Sequence, residues 1–149
     1  MLIVSAGFKT GILGSSSFAG LFNGGRIRIF SGARPVFSEM PEPSANWMGD
    51  VVWSGFDVGL QFVQAGPSVT KRLLDVWQLL PTAAGTATWW RLIGPDDDGS
   101  TSFSAPRIDG DIGTPAQPQE LVMTSTTLSP GTALSISDFV FTIPPLVGL

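Results

Sequence analysis

The stretch GTATWWRLIGPDDDG, residues 85–99, alternates as a β-strand and then stops in a turn. Through residues 85–94, Trp89, Arg91 and Ile93 project to one side and Trp90 and Leu92 to the other, which is the two-residue period of a strand. Bulky aromatic and branched side chains on both sides suit a pleated surface. Asp96-Asp97-Asp98-Gly99 has turn chemistry, so residues 101–110 are expected to pair back as the second arm of a hairpin.

The same period appears on either side of this hairpin. RIRIF, residues 26–30, puts Ile27 and Ile29 on one face and Arg26, Arg28 and Phe30 on the other. Short strands are expected at 51–54 and 58–63, broken by Gly55 and by Gly66-Pro67. KRLLDVWQLL, residues 71–80, has two readings. A helix would align Leu73, Val76, Trp77 and Leu80, whereas a strand aligns Leu74, Val76, Gln78 and Leu80; the flanking Pro67 and Pro81 favour the strand. Residues 112–119 read as loop, 121–128 as strand and Ser129-Pro130-Gly131 as a turn. In TALSISDFVFTIPP, Leu134 and Ile136 share one parity, while Phe139, Phe141 and Ile143 share the other. The phase slips at Ser137-Asp138, which predicts a β-bulge or a strand that changes sheet.

Two segments break the strand pattern. Residues 12–22 space Leu13, Ser17, Phe18, Leu21 and Phe22 as a short amphipathic helix, which Gly14 and Gly20 each weaken by about 1 kcal/mol. Lys9 and the glycines of the first 22 residues argue against a secretory signal. Residues 31–50 contain Pro35, Pro41 and Pro43 and read as a long loop. Its Val36, Phe37, Met40, Trp47 and Met48 are too apolar for a solvated tether: they suit an arm lying on a neighbouring subunit and equally a loop packed on its own domain. The expected architecture is mainly β, a single antiparallel β-sandwich or jelly-roll-like domain over residues 26–149. An N-terminal arm or short helix over 1–25 and the long Pro-rich loop over 31–50 complete it.

Composition narrows the function. Among 149 residues only 13% are charged, while there are 10 Phe and 5 Trp. Ordinary soluble domains carry about 25% charged residues, so this surface is sparsely charged and invites partners. A net charge of -4 gives no electrostatic footprint for nucleic acid, and no apolar run reaches membrane-spanning length. The absence of both His and Cys excludes the common zinc sites and the Ser-His and Cys-His nucleophile pairs. Asp96–Asp98 resembles the start of a calcium loop, but the twelfth position, where a closing Glu is needed, holds Arg107. The turn is therefore expected to be a solvated one. Ser15, Ser16 and Ser17 have no activating base. No catalytic, cofactor-binding or metal-ligating residue is expected. The expected function is contact with other proteins, through Arg26, Arg28 and Phe30 on the first strand and Val36, Phe37, Met40, Trp47 and Met48 in the loop.

Four stretches together resemble a family of small structural proteins of tailed-bacteriophage virions: NGGRIRIFSGARP (23–35), GTATWWRL (85–92), RIDGDIG (107–113) and LSPGTALSISDFVFTIP (128–144). These motifs are glycine turns and alternating strands, and they carry no active site. Residues 36–80 depart most from the pattern. The resemblance implies a virion component made in the host cytoplasm, with itself and other virion proteins, such as the major capsid protein or tail proteins, as partners. It leaves open a capsid decoration (cement) subunit, a tail, collar or baseplate subunit, and a carbohydrate- or receptor-binding module on the tail. The last needs an exposed Trp flanked by polar groups. A small hydrolase is disfavoured by the missing His and Cys.

Overall fold

A computed structural model describes residues 2–53, 59–72 and 74–142. In chain order the strands are β1 (Ile3–Val4), β2 (Arg26–Phe30), β3 (Trp47–Trp53), β4 (Phe62–Ala65), β5 (Ser68–Lys71), β6 (Trp77–Leu79), β7 (Gly85–Thr86), β8 (Trp89–Ile93), β9 (Arg107–Gly113), β10 (Leu121–Met123), β11 (Thr127–Leu128) and β12 (Leu134–Thr142). Helices α1 (Ala6–Leu13) and α2 (Phe18–Phe22) precede β2.

The chain is mainly β, as its alternation implies, but its strands close on themselves. β9, β8, β2, β3, β6 and β12 pair in that order, and β10 pairs with both β12 and β9, completing a seven-stranded barrel. A closed barrel thus stands where a sandwich of two sheets was expected. The closing β9–β10 pair is parallel, and the other six barrel pairings are antiparallel. Closure leaves the barrel strands without a bare edge, which a short sandwich would have to protect in other ways.

The hairpin at the centre of the sequence forms, with Trp89 opposite Asp111 and Ile93 opposite Arg107. Its second arm is 107–113 rather than 101–110, because residues 94–106 run as a long excursion over the outside of the sheet. The barrel interior follows the predicted parity. Val51, Ile27, Leu92 and Ile108 form one row across β3, β2, β8 and β9, and all four are fully buried. In the next row the Trp90 indole lies over Gly110, where any Cβ would come within 2.5 Å of the ring; its Nε1 donates to the Asp111 carbonyl at 3.0 Å. Trp77, Phe62 and Phe139 complete an aromatic core with ring centroids 5.5–5.8 Å apart.

The phase slip is a bulge. Leu121 faces Phe139 and Val122 faces Asp138, but Met123 faces Ile136, so Ser137 is the extra residue. The bulge returns Ile136, Phe139 and Phe141 to the same interior, all at most 4% exposed. Ile143 lies outside the described residues, as do Leu73, Gly55, and residues 54 and 58 of the expected strands.

Residues 2–25 belong to the same core and do not project as an arm. β1 pairs with β9, and the Ser5 hydroxyl accepts from the N–H of Arg107 (2.8 Å) and of Phe8 (3.1 Å), capping α1. The expected single helix over 12–22 is two. The Gly14 N–H closes α1 on the Thr10 carbonyl, and the Ser17 hydroxyl starts α2 by accepting from the Gly20 N–H. Phe8 and Phe18 thereby pack against Phe141, edge-on and tilted, and Phe22 packs against both of them.

Candidate functional site

The outer face of β3, β2, β8 and β9 carries a row of charges. Asp50, Arg28, Arg91 and Asp109 are direct cross-strand neighbours. Two arginines side by side repel, and the flanking carboxylates offset this. Arg91 donates from Nε and Nη2 to both oxygens of Asp109, at 2.7 and 2.8 Å, with both side chains fully buried. Arg28 donates to Asp50 at 3.0 Å and to Glu42 at 2.6 Å.

Two excursions, 31–46 and 94–106, lie over this row and are bolted to it. Arg107 donates from Nε and Nη2 to the two oxygens of Asp97, both at 2.7 Å, and from Nη1 to the Ser38 and Met40 carbonyls. Arg91 Nη1 reaches the same Met40 carbonyl at 2.8 Å. Arg34 pairs with Asp111 at 3.4 Å, and the Glu42 N–H donates to the Gly99 carbonyl. The expected solvated turn at Asp96–Asp98 is therefore corrected at its centre: the Asp97 side chain is 4% exposed and receives an internal guanidinium. Burial alone would lower the pKa of Arg107, but its hydrogen bonds to Asp97 and the charge there outweigh this and raise it. Burial raises the Glu42 carboxyl above its usual range against the opposing pull of Arg28, and one Glu42 oxygen has no hydrogen-bond partner among the described residues. Exposed Asp98 is lowered by the hydroxyl and N–H of Ser100.

This arrangement divides the expected contact residues. Phe30 is fully buried against Trp89 in a stack of 4.3 Å, and Met48 is 2% exposed in the core; neither is a surface residue. Trp47 and Met48 belong to β3 rather than to the loop, which ends at Asn46. The Trp47 Nε1 donates to Asp50, and Arg28 lies over its ring. Arg26 and Arg28 are paired with carboxylates of their own chain. Val36, Phe37 and Met40 do stand out from the surface, at 70%, 63% and 43% exposure.

Phe103, 77% exposed, joins them from the second excursion, so that Phe37, Met40 and Phe103 border an apolar cleft of about 510 Å³ beside Glu39. Nothing in the period of residues 101–106 singles out Phe103. It was readable only as a large apolar residue in a polar turn region. Of the five Trp, Trp77, Trp89 and Trp90 are buried, and Trp47 and Trp53 are half-buried with Arg28 and Arg72 over their rings.

Among the described residues no three His, Cys, Asp or Glu side chains gather to hold a metal, and no helix is long and apolar enough to cross a membrane. No family model, curated protein or solved structure matches the chain.

Proposed function

We propose that this chain is a non-enzymatic structural subunit of a tailed-bacteriophage virion that acts by protein–protein contact. Capsid decoration is the first placement, and a tail, collar or baseplate position is the alternative. The observation that carries this reading is the rigid display of Phe37, Met40 and Phe103. The Met40 carbonyl accepts from Arg91 and Arg107, the Phe37 carbonyl from the Met40 N–H, and the Glu39 carbonyl from the Ser102 N–H, yet the three side chains stand in water. Contiguous apolar surface of this kind marks interaction sites.

Charge placement supports the same reading. Of the chain's 8 basic and 12 acidic residues, Arg28, Glu42, Asp50, Arg91, Asp97, Arg107 and Asp109 are all at most 22% exposed, leaving the outer surface more apolar than the composition implies. The resemblance of four stretches to virion proteins supplies the setting. Quantitative gel analysis of purified particles tests it. Copy numbers on the order of hundreds indicate the capsid, and a small multiple of a three- or six-fold ring indicates a tail fitting. Absence of the chain from the particle would refute the proposal.

A further inference from the structure

With no cysteine in the chain, its oxidisable sulfurs are the thioethers of four methionines. Met1 lies outside the described residues. Met48 and Met123 belong to the hydrophobic core at 2% and 0% exposure, whereas Met40 is 43% exposed. A buried thioether meets an oxidant only when the core opens, and core strands open least often. Met40 meets one in the folded state.

The fold holds Met40 at this exposed position. Its carbonyl accepts from Arg91 at 2.8 Å and from Arg107 at 3.3 Å, and its N–H donates to the Phe37 carbonyl at 3.2 Å. With the backbone pinned on both sides, the side chain is left on the outer surface. It borders the cleft of about 510 Å³ that Phe37 and Phe103 also line, which is ample space for a molecule little larger than water.

We propose that Met40 is a modification site, at which hydrogen peroxide converts the thioether to the sulfoxide and so switches the Phe37–Met40–Phe103 cleft from apolar to polar. A sulfur lone pair attacks one peroxide oxygen, and the S–O bond forms as the O–O bond breaks. The transferred oxygen gives its proton to the departing hydroxide, which leaves as water. The sulfur is thereby oxidised by two electrons and the peroxide reduced. The product is polar and chiral where the side chain was flexible and apolar. The Arg91 and Arg107 bonds go to the backbone, so the change stays at the surface and leaves the barrel intact. Methionine sulfoxide reductases reverse it, one for each epimer. The consequence for assembly rests on the contact reading above: a sulfoxide in an apolar contact must be stripped of water, which weakens binding.

Peptide mapping by mass spectrometry of the full chain, sampled over time in dilute hydrogen peroxide, tests the proposal. Oxygen should add to Met40 first, with Met48 and Met123 lagging by roughly ten-fold or more, because their oxidation waits for the core to open. In urea the three should react alike. A Met48 or Met123 that keeps pace with Met40 in the folded chain overturns the proposal, as does a Met40 that lags with them. Hydrophobic-interaction chromatography reads the switch. Oxidised chain should elute earlier than untreated chain, and reductase treatment should restore the original retention. Met40→Leu, which keeps the apolar surface without the sulfur, should elute unchanged after the same exposure. Oxidised wild type that elutes with the untreated chain, or a Met40→Leu variant that shifts as far as wild type, overturns the switch. The same mapping on purified particles separates this proposal from the assembly reading. A chain found in virions whose Met40 reacts there as fast as in the free chain refutes the cleft as a contact and leaves the modification site standing.

Discussion

The guanidinium of Arg107 lies against the carboxylate of Asp97 with two hydrogen bonds of 2.7 Å, in the turn where a calcium loop would begin. The Asp-rich turn thus receives its positive charge from the chain itself. Adding calcium or a chelator should leave the melting temperature unchanged, as differential scanning calorimetry can verify. Asp97→Asn, which strips the charge from a buried pair, should destabilise the domain by about 3–5 kcal/mol.

Arg91 and Asp109 form a second pair with no access to water. Arg91→Met should cost about 3–5 kcal/mol because it strands a buried carboxylate. Combining it with Asp109→Leu should recover most of that loss, since the penalty of the lone charge disappears. Urea denaturation of the two single variants and the double variant gives the coupling directly.

Burial raises the carboxyl of Glu42, which fixes the sign of its pH dependence. The folded state holds the proton more tightly than the unfolded chain. The stability this confers is complete below the unfolded value of 4.5 and is lost as pH rises through the folded value. Glu42→Gln should therefore gain on wild type in urea melts as pH is raised from acid to neutral. A gap that narrows instead would show that Arg28, rather than burial, sets the energy of this group.

Deleting Ser137 should leave the barrel folded, because it makes the pairing of β12 with β10 continuous and sets Ile136 and Phe139 two positions apart, on the same face. Phe139→Ala and Phe141→Ala should each cost about 3–5 kcal/mol, and Ile136→Ala about 2–5 kcal/mol. Circular dichroism melts test all four, and unfolding of the deletion variant would contradict the bulge.

Gly110 lies under the Trp90 ring. Gly110→Ala should cost about 1–3 kcal/mol by overpacking. A companion Trp90→Leu should relieve part of that cost, measured by the same melts.

The period of two made the β class, the first arm of the hairpin and the phase slip at Ser137-Asp138 legible, because each follows from which side chains share a face. Barrel closure was not legible. It depends on β10, three residues long, pairing in parallel with β9, and so short a strand has no period that names its neighbour. The loop 31–46 showed its apolar residues but not its attachment, since the groups that hold it, Arg91 and Arg107, come from strands more than 45 positions away. Alternation put Arg28 and Phe30 on the outer face correctly. That a covering loop turns this outer face into an interior is a tertiary fact. KRLLDVWQLL fitted both a helix and a strand, and only the pairing of β6 settles the strand and which side chains it leaves in water.

The closing pair also sets the order in which this protein becomes itself. β1 is anchored through Ser5 to Arg107, 102 positions later, and the gap between β9 and β12 is filled only by β10. While a ribosome is still making the second half of the chain, the first half has no inside: its strands wait as an open ribbon with Phe8, Phe18 and Phe22 unsheltered. Folding of this kind is a late, single event dominated by distant pairings, and such topologies fold slowly.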